Sequence, residues 1–101
     1  MSPTLPLPPP DRSRLVPTAG GRVFAVDRGP EHGEALPLVL LHGLLVTHHE
    51  FRGILDGLAA DRRVIALDLP GCGESDRPAP EDADGYSLPW LAERVLEALG
   101  A

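Results

Sequence analysis

The chain has 101 residues, 43% of them hydrophobic, which is enough for one small core and too little for two domains. Asp and Glu number 15 against 9 Lys and Arg, and the resulting formal net charge of -6 would repel the phosphate backbone of a nucleic acid. The single cysteine excludes an internal disulfide and a cysteine-rich metal site, and it fits a reducing compartment. From the cysteine we expect a cytoplasmic protein, and from the charge we expect no nucleic-acid partner.

The chain begins with a proline-rich segment. Five of residues 1–10 are proline, which interrupts any apolar run that a secretory signal would need. A membrane span needs about 20 apolar residues, and the sequence has no such run, so we expect no membrane partner. We predict a disordered proline-rich tail over residues 1–12 and one partial domain over residues 13–101.

Two short apolar runs then flank a pair of glycines. Arg14 to Val16 and Arg22 to Val26 have the composition of strands, and Gly20-Gly21 between them can supply the positive φ of a tight turn. This pattern predicts a β-hairpin.

The next segment predicts a buried strand followed by a helix. Pro37 to Leu41 is wholly apolar, as in a strand covered on both faces by helices. Thr47 and Glu50 have the spacing of a capping box, although Gly53 and Gly57 weaken the helix that would follow. The side chains expected on the buried stripe of this helix are Phe51, Ile54, Leu55, Leu58 and Ala59.

A second apolar strand, Val64 to Leu67, leads into a long acidic loop that we expect to be largely solvated. Ser87 is a candidate N-cap for a last helix. The expected buried face of that helix comprises Leu88, Leu91, Val95, Leu96 and Leu99.

The predicted order is a β-hairpin followed by β-α-β-α, which indicates an α/β protein with a mostly parallel sheet and helices on both faces. Ligands of such sheets bind at the carboxyl ends of the strands. Two glycine-containing segments follow strands there, His42 to Thr47 and Asp68 to Ser75.

The sequence resembles the N-terminal portion of the α/β-hydrolase fold over about residues 14 to 99. The resemblance is carried by LLHGL at residues 40–44, by Phe51-Arg52 and by VIALDLPGCGESDRP at residues 64–78. It implies a larger sheet with a nucleophile on a GxSxG turn and its two triad partners later in the chain. In the strand order of that fold, the Pro37 to Leu41 strand lies beside the Val64 to Leu67 strand, and its other edge is left open here.

The resemblance also implies roles for individual residues. The backbone N–H of Leu44 matches an oxyanion-hole donor, and His42 and Gly43 match residues that shape this loop. We expect His42 to fix the loop rather than to carry a proton. The residues that match a structural loop near the pocket are Asp68, Gly71, Gly73 and Ser75.

The nucleophile, acid and base are not among the residues that match the family. Ser75 lies in GxGxS rather than GxSxG, and no basic residue flanks Cys72 to activate its thiol. His48 and His49 are adjacent, so we expect them to point apart and to form no metal site without a third ligand. In the family the nucleophile follows on the next strand, so we predict that this chain is truncated before it and is inactive alone.

For the complete protein, the resemblance implies a serine-type hydrolase that acts on a small molecule without cofactor or metal. The bond cleaved could be an ester, a thioester, an amide or a carbon–carbon bond. Leu44 stands where haloalkane dehalogenases usually have an asparagine, and Leu45 stands where epoxide hydrolases usually have a proline. These differences disfavour both activities. A non-catalytic module that self-associates through its exposed strand edge is the alternative, and a nucleotide-binding protein ranks last because GxGxxG is not completed.

Overall fold

A computed structural model describes residues 11–31, 35–43 and 47–100 of the chain. Four strands form one sheet in the order β1-β2-β4-β3. They are β1 (Arg14–Thr18), β2 (Gly21–Arg28), β3 (Leu38–Leu41) and β4 (Val64–Leu67). The helices are α1 (Leu55–Leu58) and α2 (Leu88–Leu99), with 3-10 helices at His48–Phe51, Pro80–Asp82 and Asp84–Tyr86.

The pairing of the strands confirms the predicted hairpin and the α/β class. β1 and β2 run antiparallel and turn between Thr18 and Gly21, where Gly21 has φ +106°. β2 also pairs antiparallel with β4, whereas β3 and β4 run parallel. The described sheet is therefore mixed. β3 lies at its edge, as the resemblance implies.

Each face of the sheet packs against one helix. On one face, Val26 of β2 packs with Leu55 of α1 and Ala59 just after it. On the other face, Val23 and Ala25 of β2 pack with Ala98 of α2. The apolar residues of β2 and β4 are thus covered from both sides, which is why those strands lack strict polar alternation.

The helix predicted after Thr47 is shorter and more broken than expected. The hydroxyl of Thr47 accepts a hydrogen bond from the N–H of His49 at 3.3 Å, and a 3-10 helix begins there. The α-helix itself spans one turn, because glycines at 53 and 57 disfavour helix in this segment. Leu55 is buried as predicted, but Ile54 is 55% exposed, so its assignment to the buried stripe was wrong.

Helix α2 begins where predicted and buries part of the predicted face. Ser87 accepts a hydrogen bond from the N–H of Trp90, which confirms the N-cap. Val95 and Leu99 pack against the core as predicted, whereas Leu88 and Leu96 are 80% and 52% exposed and Arg94 and Ala98 are buried.

Helix α2 also packs on the β1–β2 turn. A Cβ atom on Gly20 would lie 2.4 Å from the Trp90 ring and 2.8 Å from the Arg94 side chain, so both pack directly on this glycine. The Arg94 guanidinium also lies over the Trp90 ring, 5.1 Å from its centroid, and pairs with Glu97 at 2.8 Å. Long amphipathic side chains can cover a glycine turn in this way, which accounts for the burial of Arg94.

A buried carboxylate joins the start of the described chain to the sheet. Asp27 of β2 is 1% exposed and accepts two parallel hydrogen bonds from the guanidinium of Arg63, at 2.9 and 2.6 Å. Arg12 and Arg14 each donate to the same carboxylate at 3.1 Å. The backbone N–H of Arg12 also bonds to the carbonyl of Asp27, so Arg12 belongs to the folded part although it lies within the predicted tail of residues 1–12.

This cluster generates the first prediction. Burial raises the pKa of Asp27, but hydrogen bonds from Arg63 and Arg14 and the charges of Arg63 and Arg12 outweigh burial and lower the pKa to about 2. A carboxyl with a lowered pKa stabilises the fold above its unfolded value and loses that contribution as the pH falls through the folded value. We expect a loss of about 2 kcal/mol in unfolding free energy between about pH 4 and pH 2 from this group. Urea denaturation across this range should show a shallower pH dependence for Asp27→Asn, and equal slopes would contradict the assignment.

Candidate functional site

Two loops meet at the carboxyl ends of the parallel strands. The β3 loop comprises residues 42–47 and the β4 loop comprises residues 68–76. β3 and β4 run parallel, with Leu41 opposite Leu67, so both loops begin at the same end of the sheet. In α/β sheets ligands bind at this end, beyond the carboxyl ends of the strands.

His42 ties the first residue of the β3 loop to the β4 loop. Its Nε2 accepts a hydrogen bond from the N–H of Leu69 at 2.9 Å, so the ring proton must be on Nδ1, which lies 2.8 Å from the carbonyl oxygen of Gly43. Both ring nitrogens of this buried side chain are thus occupied by backbone groups. The geometry suits a histidine that holds a loop in place.

Asp68 is the centre of the contact between the two loops. Its fully buried carboxylate accepts from the backbone N–H of His48 at 2.7 Å and of Glu74 at 3.0 Å. The Nδ1 atom of His48 lies 2.8 Å from both carboxylate oxygens. Burial raises the pKa of Asp68, but these hydrogen bonds outweigh burial and hold the pKa below its usual value. Asp68 is therefore an ionised acceptor at neutral pH.

Ser75 ties the β4 loop to the adjacent strand. Its hydroxyl donates to the carbonyl oxygen of Asp68 at 2.5 Å and accepts from the N–H of Phe24 at 2.8 Å. Both bonds are to backbone groups, so this hydroxyl is engaged in the loop and not paired with a base.

Two glycines allow the β4 loop to close around Asp68. Gly73 has φ +52°, and a Cβ atom there would lie 2.2 Å from the Asp68 carboxylate. Gly71 has φ +83°, and its Cβ would lie 2.9 Å from the Tyr86 ring. Cys72 between them is half-buried, and its backbone N–H bonds to the carbonyl of Leu69.

Leu44 lies outside the described residues, so its oxyanion-hole role stays a prediction. Gly43, the residue before it, is exposed at the mouth of the β3 loop. The structure brings together, at the carboxyl ends of β3 and β4, three residues that the sequence analysis named: His42, Asp68 and Ser75.

His48 is the residue of this site that sequence reasoning missed. It was considered with His49 only as a weak candidate metal ligand, but its ring is buried against Asp68, whereas His49 is exposed. The expectation that the two side chains point apart was wrong, because their ring centroids lie 4.0 Å apart with the ring planes tilted by 36°. Phe24 lies 5.1 Å from the His48 ring. Nothing in the local sequence indicates which of these two adjacent histidines is buried. Within residues 11–31, 35–43 and 47–100, no three metal-ligating side chains lie close enough to hold an ion.

The close approach at Gly73 gives a second prediction. Gly73→Ala combines an unfavourable positive φ with a steric clash against the buried carboxylate, whereas Gly85→Ala adds a Cβ at φ +63° with no atom within 4 Å. We therefore expect Gly73→Ala to lower the unfolding free energy by about 1 to 3 kcal/mol more than Gly85→Ala. Chemical denaturation of both variants measures the difference, and equal losses would show that the clash is relieved at no cost.

The comparisons with known proteins identify the family. A family model described as alpha/beta hydrolase fold matches residues 37–101. The chain therefore belongs to the α/β-hydrolase fold family. No helix in the described part of the chain is long and apolar enough to cross a membrane.

Individual relatives span several activities. A pimeloyl-[acyl-carrier protein] methyl ester esterase of Aeromonas salmonicida is 48% identical over 67 residues, which cover 66% of this chain and 25% of the esterase. A haloalkane dehalogenase of Psychrobacter cryohalolentis is also 48% identical, over 81 residues that cover 77% of this chain and 26% of the dehalogenase. The chain thus spans about a quarter of the length of these curated relatives.

Solved structures show the same mixture. A putative alpha/beta hydrolase from Nostoc matches with a TM-score of 0.76 and 35% identity, covering 89% of this chain and 30% of the other. The Cif epoxide hydrolase from Acinetobacter nosocomialis matches with a TM-score of 0.73 and 27% identity, covering 88% of this chain and 26% of the other. Similarity alone therefore identifies a hydrolase fold but does not identify the bond that is cleaved.

Proposed function

We propose that this chain supplies the oxyanion-hole part of a serine-type hydrolase that cleaves a small-molecule ester, thioester, amide or carbon–carbon bond. The observation that carries this proposal is the pair of loops joined at the ends of β3 and β4. His42 bonds to Leu69, and His48 bonds to Asp68, so the residues on both sides of Leu44 are tied to the same turn.

The proposed donor is the backbone N–H of Leu44. In acyl transfer, negative charge develops on the substrate oxygen, and a donor already oriented toward that oxygen lowers the barrier. Loss of one such donor costs about 3 to 4 kcal/mol in transition-state stabilisation. This role depends on the backbone, so a leucine side chain is compatible with it.

Ester hydrolysis is the activity that we favour within this class. Leu44 and Leu45 differ from the residues expected there for dehalogenases and epoxide hydrolases, and one of the relatives is a methyl ester esterase. We place the protein in the cytoplasm as part of the same proposal, because its one cysteine fits a reducing compartment.

The third prediction concerns the activity of the chain itself. No GxSxG occurs in the 101 residues, and the Ser75 hydroxyl is bonded to backbone groups. We expect the isolated chain to release no p-nitrophenol from p-nitrophenyl acetate or butyrate above the rate of its Cys72→Ser and Ser75→Ala variants. Turnover that either substitution abolishes would overturn this expectation.

The positive arm uses the longest open reading frame that contains these 101 residues. If that frame encodes a GxSxG segment, its product should hydrolyse the same esters, and replacing the serine of that segment with alanine should abolish turnover. Chlorinated alkanes and epoxides, assayed in parallel, separate the other activities found among the relatives. A product that hydrolyses only chlorinated alkanes or only epoxides, and none of the esters, would contradict ester hydrolysis.

A second candidate function is self-association through β3. The N–H of Leu38 bonds to the carbonyl of Arg63 next to β4, so in a parallel ladder the backbone groups of Val39 and Leu41 face the opposite way. No described strand pairs with them there. The other edge strand, β1, contains Pro17, which blunts an edge, whereas Leu38 to Leu41 contain neither proline nor charge.

An apolar groove of about 480 Å³ adjoins this free edge, and its lining contains no charged side chain. It is lined by Leu41, Leu69, Leu88, Leu91, Ala92, Val95 and Leu96. We propose a second copy of the chain as its occupant. A twofold arrangement places the same apolar surface on both sides, so no complementary charge is needed. The net charge of -6 on each copy opposes this contact at low salt.

The fourth prediction tests this edge. Val39→Pro removes a donor on the free side of β3 without removing a β4 bond, so it should shift the chain toward monomer. Ala79→Pro is the matched control, because Ala79 is exposed and already has φ -61°. In sedimentation velocity we expect wild type and Ala79→Pro to associate more strongly as salt is raised. A wild-type monomer at every concentration and salt level would contradict self-association.

A further inference from the structure

The β3 loop is held at both of its ends by histidine rings. His42 begins the loop and contacts Leu69, and His48 follows the loop and contacts Asp68. The two rings thus bond to consecutive residues of the β4 loop. Because residues 44–46 lie between these two points, the separation of the loop ends is fixed by the Asp68-Leu69 turn.

We propose that His48 is a positioning residue for the oxyanion-hole loop and acts through Asp68. This inference rests on the function proposed above for Leu44. The His48 ring is a second donor to a carboxylate that already accepts the His48 backbone N–H, and it reaches both carboxylate oxygens at 2.8 Å. It therefore sets the orientation of the carboxylate, and not only the position of its own backbone.

The orientation of Asp68 in turn affects the β4 loop. One carboxylate oxygen accepts from the N–H of Glu74 at 3.0 Å, and Gly73 has no room for a Cβ beside it. A carboxylate that loses one donor in a fully buried site must rotate or admit water, because a buried acceptor left unsatisfied is costly. Either response moves the turn on which His42 also rests. His48 is thereby coupled to the far end of the β3 loop.

The surroundings of the His48 ring allow little freedom. The Phe24 ring lies 5.1 Å away between centroids, and the His49 ring lies 4.0 Å away at a tilt of 36°. The adjacent His49 is exposed, and its backbone N–H bonds to the Thr47 hydroxyl, so it provides a matched control that is one residue away.

The test compares three variants of the ¹⁵N-labelled chain by NMR at a concentration where the chain is monomeric. His48→Leu removes the ring donor, His48→Asn keeps an N–H donor near the place of Nδ1, and His49→Leu changes the neighbouring ring only. In His48→Leu we expect the Glu74 and Leu69 amides to exchange about fivefold faster, which corresponds to one lost hydrogen bond, and the Gly43 resonance to shift. His48→Asn and His49→Leu should resemble wild type at these amides.

Two outcomes would overturn the inference. A uniform acceleration of all slowly exchanging amides in His48→Leu would show that the ring contributes only to global stability. Unchanged exchange at Leu69 and Gly43 would show that the two ends of the β3 loop are not coupled through Asp68. If a variant fails to fold, the ¹⁵N shifts of the wild-type histidine rings still test the geometry, since the Nδ1 atom of each ring must carry a proton.

A kinetic measurement separates this inference from the proposed function. In an active product of the longer reading frame, His48→Leu should lower kcat by roughly ten- to a hundredfold with little change in KM, because a misplaced donor affects the transition state. His48→Asn should recover most of kcat. Absence of esterase activity in the longer product would remove the proposed function, whereas the exchange results would still decide whether His48 positions the loop.

Discussion

The buried carboxylate of Asp68 is the interaction on which the site depends. It lies at the end of β4, yet it accepts hydrogen bonds from the residue after the β3 loop and from Glu74 within its own loop. A buried ionised group requires such donors, because desolvation without them would favour its neutral form. The chain therefore cannot bury Asp68 without bringing the two loops together. The energetic requirement of one side chain defines the local architecture.

The sheet places this carboxylate where it can act. β2 and β4 form the centre of the described sheet and carry most of the buried apolar residues, whereas β3 lies at the edge. At the other end of β2 and β4, Arg63 just before β4 binds Asp27 of β2. Fixed ends on both sides leave the carboxyl ends of β3 and β4 in a defined register. A loop attached to such rigid strands can be positioned more accurately than one attached to another loop.

The sequence predicted the strands and the boundaries of α2 well, because apolar runs and an N-cap serine are local signals. It predicted the burial of Val95 and Leu99 correctly but not the exposure of Leu88 and Leu96, because the face that a helix buries depends on its partners. One of these partners is Gly20, which admits Trp90 and Arg94. His42 and Asp68 were found through the resemblance, whereas His48 was not, because its role exists only when β4 brings Asp68 beside it. Long-range pairing of this kind leaves no periodic trace in the sequence.

The contact between Trp90 and Gly20 also gives the molecule an internal optical label. Trp90 is the only tryptophan, and it lies between α2 and the β1–β2 turn, with the Arg94 guanidinium over its ring. Its emission will therefore follow the docking of the last helix on the hairpin. The β4 loop adjoins this contact, because Tyr86 lies 5.6 Å from the Trp90 ring between centroids and packs directly on Gly71. Trp90 emission will thus report the docking of α2 together with the state of the β4 loop, whereas the loop amides report the site by itself.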